Sequence, residues 1–239
     1  MDIFLIIISC SPSKKLYDTI KSPSPHLQIS LNKKSYLKGE PIWIDFKFEN
    51  KGTKFLVVSS KNLSVLYNQH TLVSNIVDKN GNTYPSGLWG CYTHTKWDTL
   101  FPGEVTKYSF NLLEKHYKIP EKYTDRILPP NTYSIFSVVL RNVISNQIIF
   151  DVIEPEGIDR IKYDLYQKGT RAFHNLPKMH DIYKELFKID SNSFYSELLL
   201  YKLIIHTSFH DDKEASELAK LFLQRYPNSN YKNQVLRKI

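Results

Sequence analysis

The hydrophobic pattern of this 239-residue chain changes its period once, at residues 154–157. Before this point apolar and polar residues alternate, as in Ile42–Phe48, which is the period of a strand with one buried face. After it, apolar residues recur every three or four positions, as in Met179–Leu186, which is the period of an amphipathic helix. The change predicts a β-rich part over residues 27–153 and a helical part over residues 154–239.

The β-rich part contains several short alternating segments separated by turn residues. Thr106–Leu112, Phe136–Leu140 and Ile148–Val152 all alternate, and Asn80-Gly81 is a strong turn signal. Many short strands of this kind are typical of an antiparallel β-sandwich. The expected fold class is therefore an antiparallel sandwich followed by a small all-α domain of helical hairpins.

Three segments of the β-rich part carry a family resemblance: Tyr36–Ile42, Phe101–Glu104 and Leu128–Tyr133. They resemble the Tyr…Gly-Glu-x-Ile strand start, the Pro-Gly turn and the Pro-Gly-x-Tyr step of bacterial immunoglobulin-like domains. Asn131 stands where that family usually has Gly, and Asn tolerates the same left-handed backbone. The resemblance implies an Ig-like sandwich over residues 27–153 and says little about function.

The helical part contains one apolar stretch that is hydrophobic nearly all round, Leu198–Ile205, and we expect this helix to be the most buried. Ile158, Ile161 and Leu165 are predicted to share the buried face of the first helix. Ala215–Leu236 resembles a single tetratricopeptide-like unit, in which small residues let paired helices approach closely. Since stacked repeats usually need three or more units, these helices are expected to pack on each other or on the sandwich.

The N-terminal segment begins with an apolar run, Ile3–Ile8, followed by Ser9 and Cys10. Ile7-Ile8-Ser9-Cys10 resembles the lipobox of bacterial lipoproteins, although the basic start typical of a signal peptide is missing. The resemblance implies a signal peptide over residues 1–9, a lipid such as palmitate on Cys10, and anchoring in the bacterial cell envelope. Residues 10–26 are rich in Ser and Pro and are expected to form a flexible linker. The alternative is a cytoplasmic protein with an apolar N-terminal strand and an incidental cysteine.

The segment 84–98 concentrates aromatic residues between two strands. Trp89, Tyr92, His94 and Trp97 are the candidate ligand-contact residues, because exposed Trp and Tyr on a loop bind glycans or protein partners. The alternative is that these side chains cap the core of the sandwich.

Charge and motif content argue against several other functions. The net charge is +8, but residues 27–153 hold 15 basic and 10 acidic residues and residues 154–239 hold 14 and 12, so no basic stripe suggests a nucleic-acid partner. His206 and His210 have helical metal spacing, but Thr207 stands where metalloproteases have Glu. With Cys10 lipidated, Cys91 has no disulfide partner. No phosphate loop or nucleophile elbow is present in the sequence. We therefore assign no catalytic residue, metal or cofactor.

Together these features favour a lipid-anchored envelope protein that binds or scaffolds a protein or peptide partner without catalysis. A second hypothesis is a carbohydrate-binding or carbohydrate-active protein that uses the aromatic residues of segment 84–98. A third is a protease inhibitor that presents a loop of an Ig-like domain.

Overall fold

A computed structural model describes residues 25–58, 72–85, 98–115, 127–139 and 143–239. The described chain is β-structured up to residue 153 and helical from residue 157 onward, which confirms a mixed β and α fold. The change of hydrophobic period thus coincides with the change of secondary structure.

The first sheet has the order β1-β3-β8 and all its pairings are antiparallel. Its strands are β1 (Pro25–Leu31), β3 (Trp43–Asn50) and β8 (Val105–Asn111). Since β1 starts at Pro25, Pro25 and His26 belong to the sheet and not to the expected linker.

The second sheet has the order β2-β11-β9-β5-β6, with β10 also paired to β9. Its pairings are antiparallel except that of β2 with β11, which is parallel. The strands are β2 (Ser35–Leu37), β5 (Leu72–Asp78), β6 (Thr83–Pro85), β9 (Asn131–Val139), β10 (Val143–Ile144) and β11 (Ile148–Ile153). Strands β4 (Leu56–Val58) and β7 (Asp98–Leu100) form a separate antiparallel pair, and a short helix α1 (Leu112–Lys115) follows β8.

Both sheets bury side chains in one common hydrophobic cluster. Phe46 of β3 stacks on Phe110 of β8 with ring centroids 5.2 Å apart, and Tyr133 of β9 stacks on Phe150 of β11 at 5.6 Å. Burying each such ring contributes roughly 1.5–3 kcal/mol to folding. The buried positions follow the period of two that the sequence predicts, but in β9 the predicted face is wrong: Tyr133, Ile135 and Ser137 are buried, and Phe136 and Val138 are only partly buried.

The β5–β6 turn is held by a single carboxylate. Asp78 accepts hydrogen bonds from the side chain and backbone of Asn82 and from the backbone of Asn80, at 2.8–2.9 Å. The Asn82 side chain, followed by these backbone donors, lowers the pKa of Asp78. Gly81 has φ +84°, as the Asn-Gly sequence predicts.

The longer helices follow one another through connections of four residues. They are α2 (Gly157–Arg171), α3 (Leu176–Ile189), α4 (Phe194–Thr207) and α5 (Asp212–Arg225); a final turn, α6 (Lys232–Val235), continues into a 3₁₀ turn at Leu236–Lys238. The side chains of Asn175, Ser193 and Asp211 each cap a helix by accepting from the backbone N–H three residues later. Such short connections place consecutive helices side by side in opposite directions.

The helical core forms around α4, whose apolar residues Leu198–Leu200, Leu203 and Ile204 are buried as predicted. The predicted face of α2 is wrong in part. Leu165 is buried, but Ile158 and Ile161 are 56% and 50% exposed. The buried face of α2 instead carries Tyr163 and Tyr166, because both rings pack against Tyr195 of α4, at centroid distances of 5.9 and 5.6 Å.

Gly169 leaves no room for a side chain between α2 and the helices α3 and α4. A Cβ atom at this position would lie 2.7 Å from both methyl carbons of Leu199 and 3.3 Å from Ile182 Cγ2. We expect Gly169→Val to lower the free energy of unfolding by about 2 kcal/mol through overpacking, measured by urea denaturation. The loss should be smaller in a Leu199→Ala background, where the methyl groups are absent. Additive effects of the two substitutions would contradict this contact.

Candidate functional site

The sheets and helices meet at the β2–β3 turn. The hydroxyl of Tyr195 on α4 donates a hydrogen bond of 2.8 Å to the carbonyl oxygen of Lys38. Burial raises the pKa of Tyr195 far above its ordinary value of 10.0, so the hydroxyl remains a donor. The next residue, Gly39, has φ +83°, and a Cβ there would lie 3.1 Å from the Tyr163 ring. The turn therefore sits directly against α2 and α4.

A second contact joins the C-terminal end of the chain to the first sheet. Asn111 at the end of β8 donates from Nδ2 to the Tyr231 hydroxyl at 3.0 Å. Trp43 at the start of β3 packs edge-on against the Tyr231 ring, with centroids 5.3 Å apart. The helical part is therefore fixed to the sheets at two separate places.

A partly exposed chain of ion pairs runs along the boundary between sheets and helices, starting at the end of β11. Glu154 contacts Lys38 Nζ at 3.1 Å and Arg160 Nη1 at 2.7 Å, and Arg160 Nε also lies 3.2 Å from Asp164. Each exposed pair is worth about 0.2–1 kcal/mol. The main effect of this chain is to neutralise Lys38 and Arg160.

A groove of about 550 Å³ opens beside these ion pairs, along the outer face of α2. Its lining is strongly basic, with Lys38, Arg160, Lys168, Arg171 and Lys178. The α2 residues among them recur at helical spacing, so one side of the helix supplies most of the wall. We call this surface the α2 groove.

The remaining walls of the α2 groove are mostly uncharged. Tyr163 lies beneath the Lys38 ammonium, which is 5.3 Å from its ring centroid. Gln167 sits midway, and its Nε2 is buried with no hydrogen-bond acceptor among the described residues. Asp164 is the carboxylate of the lining, and Arg160 pairs with it.

The two ends of the α2 groove differ in charge. At the β2–β3 turn, Lys38 and Arg160 are paired with carboxylates. At the α2–α3 connection, Lys168, Arg171 and Lys178 are exposed and form no ion pair within the described segments. The uncompensated positive charge therefore lies at the second end.

A smaller cavity of about 190 Å³ lies at the other contact between sheets and helices, with Lys33, Glu40, Glu197 and Tyr231 in its lining. Glu40 pairs with Lys33 and accepts from the Leu37 backbone N–H at 3.0 Å. Burial raises the pKa of Glu197, and the hydrogen bond that it accepts from the Ser229 hydroxyl only partly opposes this. Glu197 is thus a carboxyl held where ionisation is unfavourable.

Cys10 and the aromatic group Trp89, Tyr92, His94 and Trp97 all lie outside the described residues, as does Cys91, so those assignments remain predictions. The α2 groove was not predicted. Arg160, Lys168 and Arg171 recur at helical spacing, and this spacing could have predicted a basic face on the helix. Charges summed over residues 154–239 concealed it, because the acidic residues of the other helices nearly balance the total.

Three further features of the described part of the chain bear on its chemistry and setting. Its His, Cys, Asp and Glu side chains form no group of three or more suited to a metal ion. Burial lowers the pKa of His206, whose ring packs 5.4 Å from Phe173. None of the helices in the described part of the chain is both long and apolar enough to span a bilayer.

Comparison with known proteins gives distant likenesses. No family model and no curated protein matches the sequence. Among solved structures, a β-glucosidase from Erythrobacter marinus is 14% identical at a TM-score of 0.35, and one from Listeria innocua is 10% identical at 0.33. The matches cover 54% of this chain but only 15% and 16% of those chains. A CARDB domain from Pyrococcus furiosus is 14% identical at a TM-score of 0.29. That match covers 60% of this chain and the whole of the CARDB domain. At these scores none of them defines the fold family or the activity of this chain.

The close packing of Gly39 on Tyr163 can be separated from backbone strain with a matched glycine. Gly81 has nearly the same φ, +84°, but open space where a Cβ would lie. Gly81→Ala should cost about 1 kcal/mol of unfolding free energy from the left-handed backbone alone. Gly39→Ala should cost about 1 kcal/mol more, because the Tyr163 ring must move. If urea denaturation shows that the two substitutions lower the free energy of unfolding equally, then Gly39 is not in close contact with Tyr163 of α2.

The raised pKa of Glu197 gives stability a defined pH dependence. A carboxyl with a folded pKa above its unfolded value of 4.5 binds more protons in the folded state, so stability falls as pH rises from 4.5 to the folded pKa. Glu197→Gln removes this titration but keeps an acceptor for Ser229. In urea denaturation the variant should gain stability relative to wild type across that window and keep a constant advantage above it. A pH-independent difference would contradict the prediction.

Proposed function

We propose that this protein is a non-catalytic binding module of the bacterial cell envelope that recognises a protein or peptide partner. The observation that carries the proposal is the α2 groove, an open surface built where the β2–β3 turn docks onto α2. Grooves formed at a junction of two packed parts are common ligand sites. The cations, amide and aromatic ring of the lining are groups that bind and orient a partner.

The proposal includes a finer description of the fold. The β-structured part is an immunoglobulin-like sandwich, which is supported by two sheets that share one core. The helical part consists of tetratricopeptide-like hairpins, which is supported by the four-residue connections and by the burial of Ala215 and Ala219 on α5. In both families recognition surfaces lie on the outside of a rigid scaffold.

The proposal also places a lipid on Cys10, which would hold the module at the membrane surface. A single short acyl chain binds a bilayer only marginally, so stable anchoring needs more than one acyl group or an added basic segment. The Ser- and Pro-rich residues 10–24 would separate the anchor from β1.

Lipid labelling with matched cysteine variants tests the anchor. In a bacterium expressing the full reading frame, radiolabelled palmitate should enter the wild-type protein and Cys91→Ala equally, and the protein should sediment with membranes. Cys10→Ala should lose both the label and the membrane association, because its residue 10 has no thiol to acylate. Unchanged labelling and sedimentation of Cys10→Ala would refute the anchor.

A further inference from the structure

We propose that the α2 groove binds an extended acidic peptide segment, with its carboxylates held by Lys168, Arg171 and Lys178. This inference deepens the proposed function and rests on it. It starts from the difference in charge between the two ends of the groove: at one end the cations are neutralised within the chain, and at the other they form no ion pair with the described residues.

The three cations bracket the α2–α3 connection. Lys168 and Arg171 lie one helical turn apart near the end of α2, and Lys178 lies in the first turn of α3 across the groove. The N-terminus of α3, capped by Asn175, adds the positive end of a helix dipole on the same side. Lys168 and Arg171 also stabilise the C-terminus of α2, which explains their presence on the helix but not the facing Lys178.

The length of the α2 groove suits an extended chain. From Arg160 to Arg171 the helix axis rises about 16 Å, which matches roughly five residues of extended peptide. Side chains of an extended peptide alternate, so every second one, about 6.6 Å apart, faces the wall. Gln167, midway along, has a side-chain amide donor with no acceptor among the described residues, and after a side-chain rotation a peptide carbonyl would provide one.

The distribution of charge favours carboxylates on a peptide over a compact phosphate. A phosphate site needs donors that converge on one point, whereas these cations are exposed and spread along the wall. A single-stranded nucleic acid needs exposed aromatic platforms for its bases. Tyr163, the aromatic ring of the groove, is buried and lies beneath Lys38, so it is not available as a platform.

Fluorescence anisotropy with detergent-solubilised full-length protein tests the proposal. The probe is a fluorescein-labelled peptide of about six glutamates, long enough to span the groove. We expect saturable binding that weakens as salt rises from about 50 to about 300 mM. A peptide of about six lysines should not bind.

Charge-reversal variants locate the binding site. Lys168→Glu with Arg171→Glu should weaken binding at least about 10-fold, and Lys178→Gln should weaken it about threefold. The control pair is Lys188→Glu with Lys220→Glu, which changes the net charge by the same amount. Lys188, like Lys168 and Arg171, lies in the last turn of a helix, and both control residues lie outside the groove. This control pair should change binding less than about twofold. If the first pair unfolds the protein, Lys168→Gln with Arg171→Gln replaces it.

Three outcomes would overturn the acidic-peptide site: no binding of the glutamate peptide, equal losses in the groove and control pairs, or binding of inorganic polyphosphate alone. An envelope pulldown separates these failures from failure of the proposed function. A partner held equally by wild type and by the groove variant would refute this site while leaving the binding function in place. No partner and no peptide binding would refute both.

Discussion

The structure depends on the contact between the β2–β3 turn and two tyrosines of the helices. Gly39 lets the turn adopt a left-handed backbone and leaves no side chain between the turn and Tyr163. The Tyr195 hydroxyl then reaches the Lys38 carbonyl, which satisfies a polar group that the packing would otherwise bury. This contact fixes where the first long helix runs relative to the second sheet, and so fixes the outer wall of the α2 groove.

The same helix uses charge in two different ways. Lys162, on the buried side of α2, bonds Asp159 at 2.6 Å and Asp190 at 3.0 Å, because a cation withdrawn from water must be paired. Burial acts to lower the pKa of Lys162, but the hydrogen bonds to Asp159 and Asp190 outweigh it and raise the pKa. Asp190 shows the matching effect, since its hydrogen bond with Lys162 lowers its pKa. Lys168 and Arg171 remain in water, where no such pairing is required.

The sequence predicted the fold better than the site. Strand faces such as Ile44, Phe46 and Phe48 were predictable because burial on one side of a sheet leaves a period of two. The buried face of α2 was only partly predictable, because the face is decided by which neighbours the helix meets. Tyr163 and Tyr166 are buried in place of Ile158 and Ile161 because Tyr195 and the β2–β3 turn lie on their side, a tertiary fact with no local signature. The α2 groove depends on the same docking and was missed for the same reason.

The ion pairs explain why charge counted along the sequence misleads here. Glu154 pairs with two cations that lie 116 and 6 residues away from it, and Asp164 supplies the second carboxylate of this group, so the basic residues of α2 are not equivalent once the chain is folded. Lys168 and Arg171 lie farther along α2 from Glu154 than Arg160 does, and Glu154 is the carboxylate that follows β11. Glu154, which follows the last strand, and Asp164 of α2 together neutralise the cations at the end of the groove near the sheet, while the far end stays positive. A partner that carries carboxylates would thus be drawn to the end where the helices alone form the wall, with the sheet fixing its orientation.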